Sequence, residues 1–235
     1  MILSVAESST GPMSPALTRE ALAGLTPELR FPGRNMSKAD VSLFRVGGRR
    51  IALKDYAARP FVARQTLGRL LVGRECHAYE RAGAAPGLAP FLGRLGPFTL
   101  ATGWIESIPL ADLPEGYASH PIFDRLDEVI DGLHARGVAI ADLHHRDVLV
   151  SKDGAVHVVD LAAAYVLGER PGSLRRRVFE RFRAQDRLAA ARMRARFTGG
   201  SEHEALATVD PAAVRLWGTG RRIKGFWDRL RRKRA

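Results

Sequence analysis

Three aspartates near the middle of the chain are spaced so that they could do chemistry together. Asp142 and Asp147 are five residues apart, and Asp160 follows thirteen residues later. Apolar runs lead into Asp142 and Asp160, and the turn residues 151–154 between those runs predict a hairpin that holds the three carboxylates near one another. Phosphoryl transfer with magnesium needs such a set, with one carboxylate to orient an attacking hydroxyl and two oxygen ligands for metal ions.

Each aspartate also has a structural alternative. Asp142 could be a turn residue at the end of a buried segment, and Asp160 could cap a following helix. Asp147 could form a salt bridge with Arg146 rather than bind metal. The spacing favours the catalytic interpretation for Asp142 and the metal-binding one for Asp147 and Asp160.

The same spacing resembles the protein-kinase superfamily. There an Asp of the catalytic loop is followed five residues on by Asn, and then by the metal-binding Asp of a D-F-G motif. Asp142, Asp147 and Asp160 fall at these positions, with Asp in place of Asn and residues 161–162, Leu-Ala, in place of Phe-Gly. The resemblance implies that Asp142 orients the acceptor and that the other two bind metal, while the departures leave a pseudokinase as an alternative.

Two upstream residues extend the resemblance. Residues 50–54, Arg-Ile-Ala-Leu-Lys, resemble the strand that brings a lysine to the nucleotide phosphates, and residues 74–79 resemble the helix whose glutamate pairs with that lysine. The resemblance therefore implies that Lys54 and Glu75 bind ATP. A surface pair of Lys54 with Asp55 is the structural alternative.

Within the superfamily, the chain is similar to small atypical bacterial kinases, both RIO-like proteins and lipopolysaccharide-core (Kdo-type) kinases. Residues 142–144, Asp-Leu-His, resemble their D-L-H loop, and residues 37–41 resemble the segment with which RIO-type kinases cover the nucleotide. This implies Ser37 and Lys38 as nucleotide-binding residues, although a polar turn before a strand would look the same. Residues 103–110 fall where such proteins have the hinge between lobes, which implies that ATP lies near Glu106.

The resemblance implies an α+β protein with a two-lobed, protein-kinase-like fold, and the residue patterns predict its elements. A glycine pair, Gly47 and Gly48, predicts a hairpin within residues 40–55. Apolar residues at helical spacing predict helices over 61–82, 121–136 and 173–197. The predicted divisions are a flexible leader (1–32), a small antiparallel N-lobe (33–103), a mostly helical C-lobe (104–198) and a basic tail (199–235).

The charge is unevenly distributed along the 235 residues. Residues 169–235 carry 19 Lys and Arg against 7 Asp and Glu, which accounts for the whole net charge of +12. Residues 221–235 form an amphipathic end of this tail, in which Lys and Arg alternate with four apolar residues: Ile223, Phe226, Trp227 and Leu230. This pattern favours contact with an anionic membrane surface; a solvated end and nucleic-acid binding are the alternatives.

Composition narrows the cellular setting. The single cysteine, Cys76, excludes an intrachain disulfide, and the sequence has neither a transmembrane-length apolar run nor a signal-peptide pattern at its start. A cytoplasmic protein, peripheral at the inner membrane, is therefore expected. The predicted function is an ATP-dependent kinase that uses Mg²⁺ or Mn²⁺ and phosphorylates a hydroxyl, with protein Ser/Thr favoured and a sugar or lipopolysaccharide core as the alternative.

Overall fold

The computed structural model describes residues 17–33, 38–114, 117–207 and 211. The N-terminal lobe is an antiparallel sheet with the strand order β1-β2-β3-β5-β4. Its strands are β1 (Leu29–Phe31), β2 (Asp40–Val46), β3 (Arg49–Asp55), β4 (Phe91–Gly96) and β5 (Thr99–Gly103).

The predicted hairpin is present as β2 and β3. Gly47 and Gly48 both have positive φ, 54° and 78°, which is the conformation that a two-residue hairpin turn requires and that glycine adopts at little cost. The resulting register pairs Val41 with Lys54, so the turn fixes which face of the sheet Lys54 occupies.

Part of the predicted leader is folded. Helix α1 (Arg19–Ala23) is capped by the Thr18 hydroxyl, which accepts a hydrogen bond from Ala21 N at 3.2 Å. Its Leu22 is buried against Phe44 and Ile51 of the sheet. Strand β1 then pairs with β2, so residues 19–31 are not a flexible leader. The three side chains of β1 are all exposed, and a strand of only three residues is too short for its pattern to predict it.

The predicted helix over 61–82 is one continuous element in three parts. It begins as α2 (Phe61–Ala63), passes through a π-helical segment (Arg64–Gly68) and continues as α3 (Arg69–Ala82). Gly68 allows the helix to approach Tyr56 closely, since a Cβ there would lie 3.1 Å from the Cβ of Tyr56. One face of α3 packs on the sheet through Val72 and Cys76.

The C-terminal lobe is built around one buried apolar cluster between two long helices and several short strands. The long helices are α4 (His120–Ala135) and α5 (Ser173–Thr198), and the short α6 (Glu202–Ala207) follows. Strands β6 (Ser107–Pro109), β8 (Val148–Ser151) and β9 (Val156–Val158) form one small antiparallel sheet; β7 (Val138–Ala139) and β10 (Tyr165–Val166) form another.

The α+β class and the two-lobed arrangement are as predicted, and the β8–β9 hairpin joins Asp147 to Asp160 as the sequence indicated. Within the described ranges, no helix is both long and apolar enough to cross a membrane. The amphipathic segment predicted over 221–235 lies outside the described residues.

Candidate active site

Lys54 links the two lobes. Its Nζ donates hydrogen bonds to Glu75 Oε1 at 2.7 Å and to Asp160 Oδ1 at 3.1 Å. Strand β3 supplies the lysine, helix α3 supplies the glutamate, and the loop after β9 supplies the aspartate. Glu75 is 1% exposed, so its charge is held inside the protein by this pairing.

Asp160 is fixed by its backbone as well as by its side chain. Its φ is +70°, a left-handed conformation that is uncommon for residues other than glycine. The next residue, Leu161, donates its N–H to Glu75 Oε1 at 3.3 Å, and Lys38 Nζ donates to Asp160 Oδ2 at 3.1 Å. Strand β3 and the segment before β2 therefore contact the carboxylate of Asp160, and helix α3 contacts the backbone directly after it.

The charges at this point favour an ionised Asp160 and a protonated Lys54, whereas burial raises the pKa of Glu75 against the opposing effect of Lys54. Burial would raise the pKa of Asp160, but Lys54 and Lys38 outweigh burial and hold that pKa well below its usual range. Burial would likewise lower the pKa of Lys54, but Glu75 and Asp160 raise it above its ordinary value. Lys54 is therefore protonated, and Asp160 ionised, at neutral pH.

Asp147 lies in a different electrostatic environment. Burial and the neighbouring charge of Asp160 raise its pKa to about 6, against the opposing effect of Lys38. The two carboxylates thus repel each other, and oxygen ligands of this kind suit Mg²⁺, which is commonly held by one or two carboxylates together with substrate phosphates. Among the described residues, no group of three or more His, Cys, Asp or Glu side chains forms a metal site by itself.

Asp142 is the most open of the three aspartates. Its side chain is 63% exposed, and Oδ1 lies 3.4 Å from His144 Nε2. It nevertheless lines the same cavity as Asp147 and Asp160, a space of about 190 Å³. The remaining lining residues come from both lobes: Lys38, Tyr56, Leu67, Leu71, Ala162 and Ala163.

One predicted residue, Glu106, does not join this cluster in the structure. It is 69% exposed and forms an ion pair with Arg50, which also contacts Glu28 at 2.9 Å. Ser37 lies outside the described residues. Its neighbour Lys38 lines the cavity and donates to Asp160 Oδ2 at 3.1 Å.

The sequence analysis missed a buried carboxylate behind the catalytic loop. Asp186 of α5 is 1% exposed and accepts hydrogen bonds from the backbone N–H groups of Ile140 and Ala141, both at 2.8 Å. His134 contacts the same carboxylate at 2.9 Å, and Gln185 donates to Ala141 O at 3.0 Å. Ala141 has φ +67°, so these bonds hold a strained residue in place directly before Asp142.

Arg74 was also missed. It donates to the carbonyl oxygens of Ala163 at 2.8 Å and Ala164 at 3.2 Å, beside the bond from Leu161 to Glu75. Consecutive residues of α3 thereby hold the chain that follows Asp160. That chain then pairs with β7 through β10, and α5 begins at Ser173.

Comparison with solved structures agrees with this geometry. The chain is similar to the Rio2 kinase from Chaetomium thermophilum, solved as an ADP/Mg²⁺-phosphoaspartate complex, with a TM-score of 0.56 and 14% sequence identity. The match covers 82% of this chain and 65% of that one, so this chain spans slightly less than two thirds of its length. No protein-family model and no curated protein sequence matches the chain.

The fold is therefore that of the protein-kinase-like proteins, as predicted. An antiparallel sheet with one long helix carries Lys54 and Glu75, and a mainly helical lobe carries the three aspartates. The roles of these residues rest on the geometry described above and are proposals.

Proposed function

We propose that this chain is a kinase that transfers the γ-phosphoryl group of ATP to a hydroxyl. The observation that carries the proposal is the contact of Lys54 with both Glu75 and Asp160, because it joins a lysine from one lobe to a carboxylate from the other at the floor of a cleft. A lysine that formed only a surface ion pair would not be expected to contact a carboxylate as buried as that of Glu75.

The residues take distinct roles in this proposal. Lys54 and Lys38 bind the phosphates, and Glu75 keeps Lys54 in position. Asp147 and Asp160 would hold Mg²⁺ or Mn²⁺, which supplies charge neutralisation at the phosphates when bound. Asp142 orients the acceptor hydroxyl and receives its proton, a role that suits a carboxylate open to the cleft.

Protein Ser/Thr is the proposed acceptor, because residues 37–41 resemble the segment with which RIO-type kinases cover the nucleotide, and Lys38 of this segment contacts Asp160 at 3.1 Å. A sugar or lipopolysaccharide-core hydroxyl at the inner membrane is the alternative acceptor. The basic tail supports the alternative through its composition. Membrane binding is tested by sedimenting the protein with anionic and with neutral vesicles. If the tail binds the membrane, the protein should sediment with anionic vesicles only, and a chain without residues 208–235 should not sediment with either.

The test is transfer from γ-labelled ATP by the full chain with Mg²⁺ or Mn²⁺. We expect label on the protein or steady ATP hydrolysis in the wild type, and loss of both in Asp142→Asn and Lys54→Met. Asp131→Asn is the matched control, since Asp131 is 58% exposed and lies on α4, paired with Arg187 and away from the cleft. Wild-type activity that survives in Asp142→Asn would contradict the proposed role.

The chemical stability of any label identifies the acceptor on the chain. Phosphoserine and phosphothreonine survive hydroxylamine, whereas an acyl phosphate on aspartate is cleaved by it. The distinction matters because the similar Rio2 structure contains a phosphoaspartate.

A nucleotide-binding pseudokinase is the second candidate, favoured by Asp147 beside Asp160 and by Leu161-Ala162 after it. It predicts a melting shift with ATP that depends on Lys54, without label transfer or hydrolysis.

A further inference from the structure

The cavity at the three aspartates also has aliphatic lining that the proposed phosphate chemistry does not use. A triphosphate and its metal ion need charged or polar partners to replace the water that they lose on binding, and Lys38 and the aspartates supply these. Aliphatic side chains serve neither group. The aliphatic wall of the cavity consists of four residues: Leu67, Leu71, Ala162 and Ala163.

The aliphatic wall is not simply part of the folded core. Leu67 and Ala163 are half-buried and belong to none of the three apolar clusters that the described residues form. Leu71 is only partly buried against the cluster between α3 and the sheet. Leu67 also lies in the π-helical segment Arg64–Gly68, and such segments occur frequently at functional sites. These side chains are therefore available to contact a ligand.

One helix holds both halves of the wall in place. Leu67 and Leu71 lie on the continuous helical element over 61–82, and the same element carries Glu75 and Arg74. Arg74 donates to Ala163 O at 2.8 Å, so the chain after Asp160 is bonded to the helix that provides the leucines. The wall is thus formed before any ligand binds.

The wall restricts what can approach Asp142. Because Asp142 lines the same cavity, an acceptor hydroxyl that reaches it enters a space bounded in part by aliphatic side chains. A sugar would bring further hydroxyl groups against this wall, where each loses water without gaining a hydrogen-bond partner. An aliphatic group beside the reacting hydroxyl would instead leave water on binding, which favours association.

We propose that the aliphatic wall selects a protein acceptor whose Ser or Thr has an aliphatic side chain within two residues, and that Leu67 is a specificity-determining residue. The inference rests on the proposed function and adds the local sequence of its acceptor. The ligand class is a protein segment with a hydroxyl residue beside Leu, Ile or Val.

The experiment measures transfer from γ-labelled ATP with Mg²⁺, by the full chain, to synthetic peptides. Each peptide has one central Ser or Thr, and the two residues on either side are varied one at a time. We expect Leu, Ile or Val to exceed Asn by about tenfold in kcat/KM at one of these positions, within the roughly 10- to 200-fold that a hydrophobic pocket gives. Leu67→Ala should reduce this preference to less than about threefold and leave the KM for ATP within about twofold, because the wall contacts the acceptor.

Three further variants separate selectivity from folding. Leu67→Met keeps an aliphatic side chain and should keep the preference, while Leu67→Asn should lose it. Leu70→Ala makes the same change as Leu67→Ala at a 56% exposed leucine of α3 that does not line the cavity, and it should behave as the wild type. Melting temperatures identify any variant that does not fold. If Leu67→Ala is one of these, Leu67→Asn and the wild-type preference carry the test.

Several results would overturn the inference. Equal labelling of peptides with aliphatic and polar neighbours would do so, and so would an unchanged preference in Leu67→Ala. Label on a lipopolysaccharide-core oligosaccharide but on no peptide, or ATP hydrolysis with label on neither, would also overturn it. Failure of the proposed function is distinct from these results, because it leaves neither label nor ATP hydrolysis with any acceptor.

Discussion

The two ends of the candidate site differ in how firmly the fold holds them. At the phosphate end, Lys54 and Lys38 both lie 3.1 Å from Asp160, and Lys54 lies 2.7 Å from the buried Glu75. At the acceptor end, Asp142 is 63% exposed and lies 3.4 Å from a histidine that is itself 64% exposed. The acceptor end is anchored through its backbone instead, because the residue before Asp142 donates its N–H to Asp186. The nucleotide half is thus preformed by side-chain pairing, and the acceptor half is preformed only in its backbone.

The largest effects should come from neutralising one aspartate at each end. Asp160→Asn removes the partner of two lysines and a proposed metal ligand, so both ATP affinity and turnover should fall, turnover by about 10³-fold. Asp142→Asn should lower kcat by about 10²- to 10³-fold and leave the KM for ATP unchanged, because general-base assistance acts after binding. Steady-state kinetics on both variants checks this. A raised KM for ATP in Asp142→Asn would show that the two ends are not separate.

Asp186→Asn tests the backbone anchor. An amide can accept through only one oxygen, so at least one buried N–H near Ala141 loses its partner. We expect a free energy of unfolding lower by about 2–4 kcal/mol. Turnover should fall by more than tenfold, with ATP affinity within twofold of the wild type. Chemical denaturation and calorimetric ATP binding measure the two quantities, and a parallel loss of ATP affinity would mean that Asp186 supports the whole cleft.

At the phosphate end, Asp147 should make the stability of the metal-free protein depend on pH. Its pKa is about 6 in the folded chain against an ordinary value of 3.8, so the folded state binds this proton more tightly than the unfolded state does. Stability contributed by Asp147 is therefore greatest below about pH 4 and is lost as the pH rises to about 6. Asp147→Asn should remove this loss and stabilise the chain at pH 7 in EDTA by about 1–3 kcal/mol relative to the wild type. Melting temperatures from pH 4 to pH 8 show it. Equal pH profiles for the two proteins would contradict the raised pKa.

The smallest effect is expected at Glu106. The residue is 69% exposed and its pairing with Arg50 lies at the surface, where ion pairs contribute about 0–1 kcal/mol. Glu106→Gln should change stability by less than about 1 kcal/mol. ATP affinity should stay within about twofold, as measured by titration. A larger loss of ATP affinity would restore Glu106 as a nucleotide-binding residue and extend the preformed end to the hinge.

Much of the cleft could be predicted because its residues sit at the ends of strongly patterned elements. The glycine pair and the alternating residues of β2 and β3 identify the strand that carries Lys54, and the turn at 151–154 identifies the hairpin between Asp147 and Asp160. These features are local in sequence, so the spacing of residues along the chain is enough to recognise them.

The missed residues act across long separations in sequence. Asp186 is 45 residues from Ala141, and Arg74 is 89 residues from Ala163. Their partners are backbone N–H and C=O groups, which every residue possesses and which leave no signature in the side-chain pattern. Strand β1 was missed for a related reason, since its pairing is through backbone bonds and its side chains are exposed.

The short chain between Asp160 and α5 has a consequence for control. Only residues 161–172 separate Asp160 from α5. Arg74 donates hydrogen bonds to two backbone carbonyl oxygens in the first part of this segment, and Tyr165 and Val166 pair with β7. Proteins that are switched by a mobile segment at this position depend on a change in the conformation of that segment. Here hydrogen bonds from Arg74 and the pairing with β7 hold residues 163–166, so the conformational change on which such a switch depends is not expected in this segment.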